Sequence, residues 1–268
     1  MSDDIQKRNV AHFVQEFEYE LKDVSGKCIN VDSGFGEITR NILLPALNQD
    51  AVMIGENKRK AKTTESYASE NMVEYANRMH GIDELLRYET LDIQTKGLPE
   101  KYIAEFDHVF SFPVLHFCND IRQGFENIYN MLRPGGTFFM LWVSSHDMFK
   151  ILEIMAENKR FASYLYKYTA SFLDLDRPQV KLKKLFRSVG FRIHHCSNRD
   201  MNFINTDPYV FLLTIMSAFT FLHEMPSDRV ENFKNEFTWE YMKENKYTRA
   251  AGGRHIPSIN SARTKIIE

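Results

Sequence analysis

The chain has 268 residues, enough for one large domain that buries a sizeable core without disulfide staples. About 43% of residues are apolar and 26% charged, and the formal net charge is -2; the total charge offers no general attraction for nucleic acid or an anionic membrane. Cys28, Cys118 and Cys196 lie far apart with no CxxC pair, which argues for a reducing compartment and against a structural zinc site.

The N-terminal stretch "MSDDIQKRNV" is polar and lacks the apolar centre of a signal peptide. Ile5 to Leu21 pattern as an amphipathic helix. Lys27 to Asp32 reads as a short strand, followed by the turn Ser33-Gly34-Phe35-Gly36, which places a large Phe35 side chain in a tight bend. A helix is expected from Glu37 to about Leu47, then a second strand from Ala51 to Glu56. The basic stretch "NKRKAKTTES" follows, with a long helix to Met79 that stops at Gly81. "LLRYETLDI" is a third strand ending at Asp92, and "FDHVFSFPVL" a fourth, with Pro113 where the strand should end. A helix from about Asp120 to Leu132 stops at Pro134-Gly135-Gly136, and "TFFMLWV" is a fifth strand.

This alternation of strand and helix with short links predicts a doubly wound, mostly parallel, Rossmann-like α/β sheet. Its ligand crevice should lie at the carboxyl ends of the strands. The second half is more helical. Helices are expected at Met148 to Lys167 and Gln179 to Val189. A strand, "FRIHHCSNRDMNFI", comes next, then helices at Tyr209 to Leu222 and Ser227 to Lys243. The domain reading is one unit over residues 1–268, with a core at about 22–145 and helical cap segments at about 146–180 and 207–245. The run "PYVFLLTIMSAFTFLHEMP" has about 17 residues between its prolines and includes Thr, Ser and His, so it is marginal as a membrane span. The expected location is the cytoplasm.

The strand ends carry the chemistry. A sulfonium cofactor such as S-adenosylmethionine needs a close backbone turn for its amino-acid part, an acid for the ribose hydroxyls, a partner for the adenine amine and an apolar wall. Asp32, Gly34 and Gly36 sit where the turn would be. Glu56 ends the second strand, where an acid can accept both ribose hydroxyls. Asp92 can accept from an exocyclic amine, and Ser111 and Phe112 end the fourth strand beside the reacting centre. Each also has a plain structural role: Asp32 and Gly34 suit any strand-to-helix turn, Glu56 can be a solvated strand end, and Asp92 can cap a turn. Four polar groups at four successive strand ends favour the ligand. No GKS or GKT follows the turn, so nothing favours a phosphate cradle of the P-loop type.

The segments "FDHVFSFPVLHF", "FENIYNMLRPGGTFF" and "SENMVEYANRMHG" resemble the class I, seven-stranded S-adenosylmethionine-dependent methyltransferases. More closely, they are similar to the arthropod juvenile hormone acid O-methyltransferases, with a degenerate glycine motif. The resemblance covers nearly the whole chain and is weakest after residue 245. It implies that Asp32, Gly34 and Gly36 belong to the glycine-rich cofactor motif and that Glu56 is the second-strand acid. It matches Asp92 and Ile93 to the adenine-side pair, and Phe112 to His116 to the segment lining methyl donor and substrate. Gln6 matches a glutamine that helps hold the substrate carboxylate, and Phe117 stands where the family usually has tryptophan. The first motif is about two residues shorter than the family pattern, about ten residues are added after Glu56, and "SARTKIIE" resembles the start of the family's last strand.

The expected reaction is methyl transfer to the carboxylate of a small apolar acid, terpenoid or fatty. Such an acid, with a pKa of about 4, is already ionised and needs no strong base. Gln6 and His116 would orient the carboxylate, with Phe117 beside them. Trp142, Met148 and Phe149 could join Phe211, Ile215, Met216 and Phe219 to line the acid's apolar chain; the same residues could equally be core. Two alternatives stay open: a hydroxyl or amine acceptor, for which His116 becomes an essential base, and a degenerate, non-catalytic paralogue that binds an apolar ligand or partner. A nucleic-acid substrate is disfavoured, because the Lys58 to Lys62 stretch is short and no Asn/Asp-Pro-Pro-Tyr tetrad follows the fourth strand.

Overall fold

The computed structural model describes residues 3–57, 72–112, 115, 118, 120–145, 147–165, 178–202, 212, 216, 219–250 and 258–267. The strands are β1 (Gly26–Val31), β2 (Ala51–Asn57), β3 (Leu86–Thr90), β4 (Phe106–Ser111), β5 (Leu132–Ser145), β6 (Arg192–Asn202) and β7 (Ser258–Ile267). They form one sheet in the order β3-β2-β1-β4-β5-β7-β6. β1 to β5 run parallel, and β7 is antiparallel to both β5 and β6. The chain leaves β1 toward β2 on one side and returns to β4 on the other. The carboxyl ends of β1 and β4, paired as Val31 with Ser111, therefore flank a topological switch point, where an open α/β sheet binds ligands.

Alternating side chains give the sheet two apolar faces. On one face Ile29, Ile54, Val109 and Phe138 meet α4 (Ile121–Met131) and α6 (Pro178–Val189) through Phe125, Ile128 and Phe186. On the other, Cys28, Met53, Tyr88, Phe110 and Phe139 meet α1 (Asp3–Glu16), the segment after the glycine turn and α3 (Met72–His80). A third cluster joins α5 (Asp147–Glu157) to α7 (Ser227–Ala250) through Met148, Ile151, Leu152, Phe233 and Phe237.

Several boundaries differ from the sequence reading. The first helix breaks at Phe17, whose ring packs into the core at 4.8 Å from Phe13, and resumes as the short α2 (Glu18–Lys22). The Glu37 to Leu47 segment is helical but irregular, with a π turn at Thr39–Leu43 and a 3-10 turn at Leu44–Ala46. Pro45 has no N–H to donate and the segment closes tightly there. β3 stops at Thr90 rather than Asp92, because Asp92 starts a turn: its Oδ1 accepts from Gln94 N at 3.0 Å and its carbonyl from Thr95 N at 2.9 Å. β5 begins early, with Leu132 opposite Phe106 and Thr137 opposite His108, so Pro134-Gly135-Gly136 bulges within the strand. The Met148 to Lys167 helix is interrupted after Glu157, where Asn158 Oδ1 accepts from Arg160 N and turns the chain, and residues 162–165 are helical again. Most of the expected Tyr209 to Leu222 helix lies outside the described residues; its end is a 3-10 turn, Thr220–Glu224, entered through extended Phe219.

Candidate functional site

At the end of β1 the chain makes a strained bend. Asp32 has φ +53°, Gly34 +61° and Gly36 +91°, a region that glycine enters freely and aspartate only at some cost. Neighbouring strands compensate. Glu56 Oε2 accepts from Asp32 N at 3.0 Å. The Glu56 carbonyl accepts from Ser33 N at 2.8 Å and from Ser33 Oγ at 3.2 Å. Asn57 Nδ2 donates to the Gly34 carbonyl at 2.9 Å, and Tyr88 Oη donates to the Gly36 carbonyl at 2.9 Å. Behind the turn, Asn30 Nδ2 donates to the buried Thr39 Oγ1 at 2.8 Å.

Phe35 does not fill this bend. It is 58% exposed and meets the Tyr75 ring of α3 edge-on at 5.6 Å. A Cβ added at Gly34 would meet nothing within 4 Å. Among the described residues, the amides of Gly34 and Phe35 carry no hydrogen bond. The short turn is therefore ordered, open on its Gly34 side and supplied with donors for an anionic group.

The other candidate residues lie at the same carboxyl edge of the sheet, on the strands adjacent to β1 and β2. Glu56 is the next-to-last residue of β2, at 1% exposure, next to β1. Asp92 follows β3 and is partly buried; besides any ligand role it caps the turn described above. Ile93 is 6% exposed and packs in the sheet core, and its carbonyl accepts from Asn127 Nδ2 at 2.7 Å. Ser111 ends β4 fully buried, and its Oγ has no hydrogen-bond partner among the described residues; such an orphan usually marks an absent partner. Phe112 is 2% exposed and stands edge-on to Phe13 at 5.4 Å, which brings α1 over this end of the sheet. Gln6 lies on α1, half-buried, beside Lys7, whose Nζ pairs with Glu37 Oε1 at 2.7 Å directly after the glycine turn.

The substrate-side residues divide. Met216 and Phe219 are 3% and 1% exposed in the helical cluster with Met148 and Phe149. Trp142 belongs to the sheet core, 6.4 Å from the Phe125 ring, so it does not share a cluster with them. His116, Phe117, Phe211 and Ile215 lie outside the described residues. Sequence reasoning missed Asn30, Thr39, Asn57 and Tyr88, which shape the turn. Their signal was slight: two asparagines at the carboxyl ends of otherwise apolar strands.

The donors and acceptors fit an S-adenosylmethionine-like ligand: turn amides for a carboxylate, two acids at successive strand ends, and an orphaned hydroxyl at the fourth. A family model for a methyltransferase domain matches residues 51–140, from the start of β2 into β5, which includes Glu56, Asp92 and Ser111. The chain is similar to the juvenile hormone acid O-methyltransferase of Drosophila melanogaster, 25% identical over 240 residues that cover 87% of this chain and 77% of that protein. It is likewise similar to the enzyme of the same name from Bombyx mori, 24% identical over 241 residues, 88% of this chain and 82% of that one. Among solved structures, phosphoethanolamine N-methyltransferase 2 of Haemonchus contortus, in complex with phosphomonomethylethanolamine and S-adenosylhomocysteine, shares the fold. Its TM-score is 0.51 at 15% identity, covering 96% of this chain and 52% of that one. With the sheet order, these likenesses support a class I, S-adenosylmethionine-dependent methyltransferase.

Proposed function

We propose that the protein transfers a methyl group from S-adenosylmethionine to the carboxylate of a small apolar acid, terpenoid or fatty. The observation that supports the cofactor half is the placing of Asp32, Glu56, Asp92 and Ser111 along the carboxyl edge of four adjacent strands, beside a hydrogen-bonded glycine turn. The acceptor half draws on the likeness to juvenile hormone acid O-methyltransferases and on the apolar helical cap.

The cofactor, when bound, supplies an electrophilic methyl group. The turn amides of Gly34 and Phe35 hold the carboxylate of its amino-acid end. Glu56 accepts from the ribose hydroxyls and Asp92 from the adenine amine, as charge-assisted hydrogen bonds. Gln6, carried over the site by α1, and His116 orient the acceptor. The acceptor carboxylate is already ionised near neutral pH, so the protein's task is alignment and exclusion of water. Phe112 and the cap supply the apolar surroundings.

A binding-only role draws on one observation: Glu56 is almost fully buried and already holds Asp32 N. Calorimetric titration with S-adenosylmethionine and S-adenosylhomocysteine, followed by assay of methyl ester formation from farnesoic and fatty acids, decides between the readings. Micromolar cofactor binding with ester formation is expected. Cofactor binding without ester from any acid removes the acceptor assignment, and no cofactor binding by folded protein leaves the non-catalytic role.

A further inference from the structure

The glycine turn is about two residues shorter than the family pattern it resembles, yet side chains of β2 and β3 hold two of its carbonyls, Asn57 that of Gly34 and Tyr88 that of Gly36. Tyr88, in the middle of β3, is the centre of that support. It sits beside Gly55 in the β2–β3 register. A Cβ at Gly55 would lie 2.2 Å from its ring, and a Cβ at Gly36 2.6 Å from it. Both glycines thus open the volume that the ring fills. Its hydroxyl then reaches the Gly36 carbonyl at 2.9 Å. The same carbonyl accepts from Arg40 N at 2.9 Å, the first bond of the following helical segment. One oxygen therefore joins the turn, the helical segment and β3.

The phenol is 3% exposed. Burial pushes its ionisation upward, with Arg40 and Thr39 opposing, so it remains a neutral donor. Thr39 is in turn held by Asn30 of β1. The backbone of Tyr88 is fixed independently: Asn77 Oδ1 accepts from Tyr88 N at 2.8 Å, and Asn77 Nδ2 donates to the Tyr88 carbonyl at 2.8 Å. A side chain locked by packing and by its own hydrogen-bonded backbone is a means of preorganising a loop.

We propose that Tyr88 is a positioning residue that holds the shortened turn in its binding shape, standing in for the turn residues that the chain lacks. It does so for the amino-acid end of the cofactor alone, since the turn faces that end while Glu56 and Asp92 serve the nucleoside. This rests on the cofactor reading above.

The test compares wild type with Tyr88→Phe, which keeps the ring and removes the donor. Two ligands are titrated by calorimetry: S-adenosylhomocysteine and 5′-methylthioadenosine, which has the nucleoside and sulfur but no amino-acid tail. Loss of one hydrogen bond should raise the Kd for S-adenosylhomocysteine about fivefold. The Kd for methylthioadenosine should change less than about twofold. Tyr88→Leu, which empties the ring's volume as well, should be weaker still for the first ligand, with Tyr88→Phe restoring part of the loss. A purely structural Tyr88 would lower Tm and weaken both ligands equally, or neither, and either result overturns the inference. If wild type binds neither ligand, the cofactor reading fails and takes this inference with it; if wild type binds S-adenosylhomocysteine and Tyr88→Phe binds it equally well, only the inference fails.

Discussion

Glu56 has two duties, and they can be separated by substitution. Its Oε2 holds the amide of Asp32 at the strained start of the turn, and its charge is assigned to the ribose. Glu56→Gln keeps an oxygen for Asp32 N but loses the charge. It should weaken S-adenosylhomocysteine binding by roughly 1–2 kcal/mol with little change in melting temperature, whereas Glu56→Ala should lower both. Equal affinity of the glutamine variant and wild type would remove Glu56 from the ribose. The nearby Glu89 is a purely structural acid. Burial alone pushes its carboxyl up, but hydrogen bonds from Lys101, Tyr102 and Arg87 together outweigh burial and hold it at about 2, against an ordinary 4.5. A carboxyl depressed on folding stabilises the native state above its unfolded value and loses that contribution as pH falls through the folded one. The melting difference between wild type and Glu89→Gln should thus be full above about pH 5 and shrink steadily between about pH 4.5 and pH 2. A pH-independent difference would show that the ion pairs contribute nothing.

At the scale of elements, β3 is the edge next to the site, and an unpaired edge is normally a liability. α3 covers it with one side chain: Asn77 offers both its amide groups to the backbone of Tyr88, as a neighbouring strand would. Asn77→Ala should cost about 1–3 kcal/mol in chemical denaturation and speed hydrogen exchange at the Tyr88 amide; unchanged exchange there would mean that the ring, not the amide pair, fixes the strand. The elements themselves were largely legible. Alternating apolar runs marked β1, β2 and β4, and Asp120 capped α4 as its type suggests, accepting from Gln123 N at 3.1 Å. The boundaries that shifted are set by short-range turn contacts that the pattern of apolar residues does not reveal. β3 ends at Thr90 because Asp92 turns back onto Gln94 and Thr95, and the helix from Met148 breaks where Asn158 accepts from Arg160 N. The site was half legible because its supports reach it from strands distant in sequence. Acids at strand ends follow from topology, while Tyr88 looks like any apolar-phase strand residue until β2 and β3 are in register.

At the scale of the molecule, the sheet is completed by a strand far from the rest in sequence. β7 pairs with β5 from Thr137 to Ser145 and with β6 from Arg192 to Asn202. Among the described residues β6 has no other strand partner, so β7 is its one hydrogen-bonded strand link to the parallel core. Deleting residues 258–268 should therefore strip β6 from the sheet and leave the long β5 as a bare edge, an aggregation hazard. The cofactor turn at β1 lies three places away in the strand order β1-β4-β5-β7, and its own supports from β2 and β3 stay in the truncated chain. If the sheet folds as one unit, the truncated protein loses cooperative thermal unfolding and S-adenosylhomocysteine binding together. If β1 to β5 with their helices hold as an independent unit, cofactor binding survives while solubility falls. The first outcome is expected, because Phe138 shares a core with Phe191 and Ile193 at the start of β6; releasing β6 exposes the same apolar face against which the parallel strands pack. Circular dichroism melting and calorimetry on the truncated and full chains read the two quantities separately.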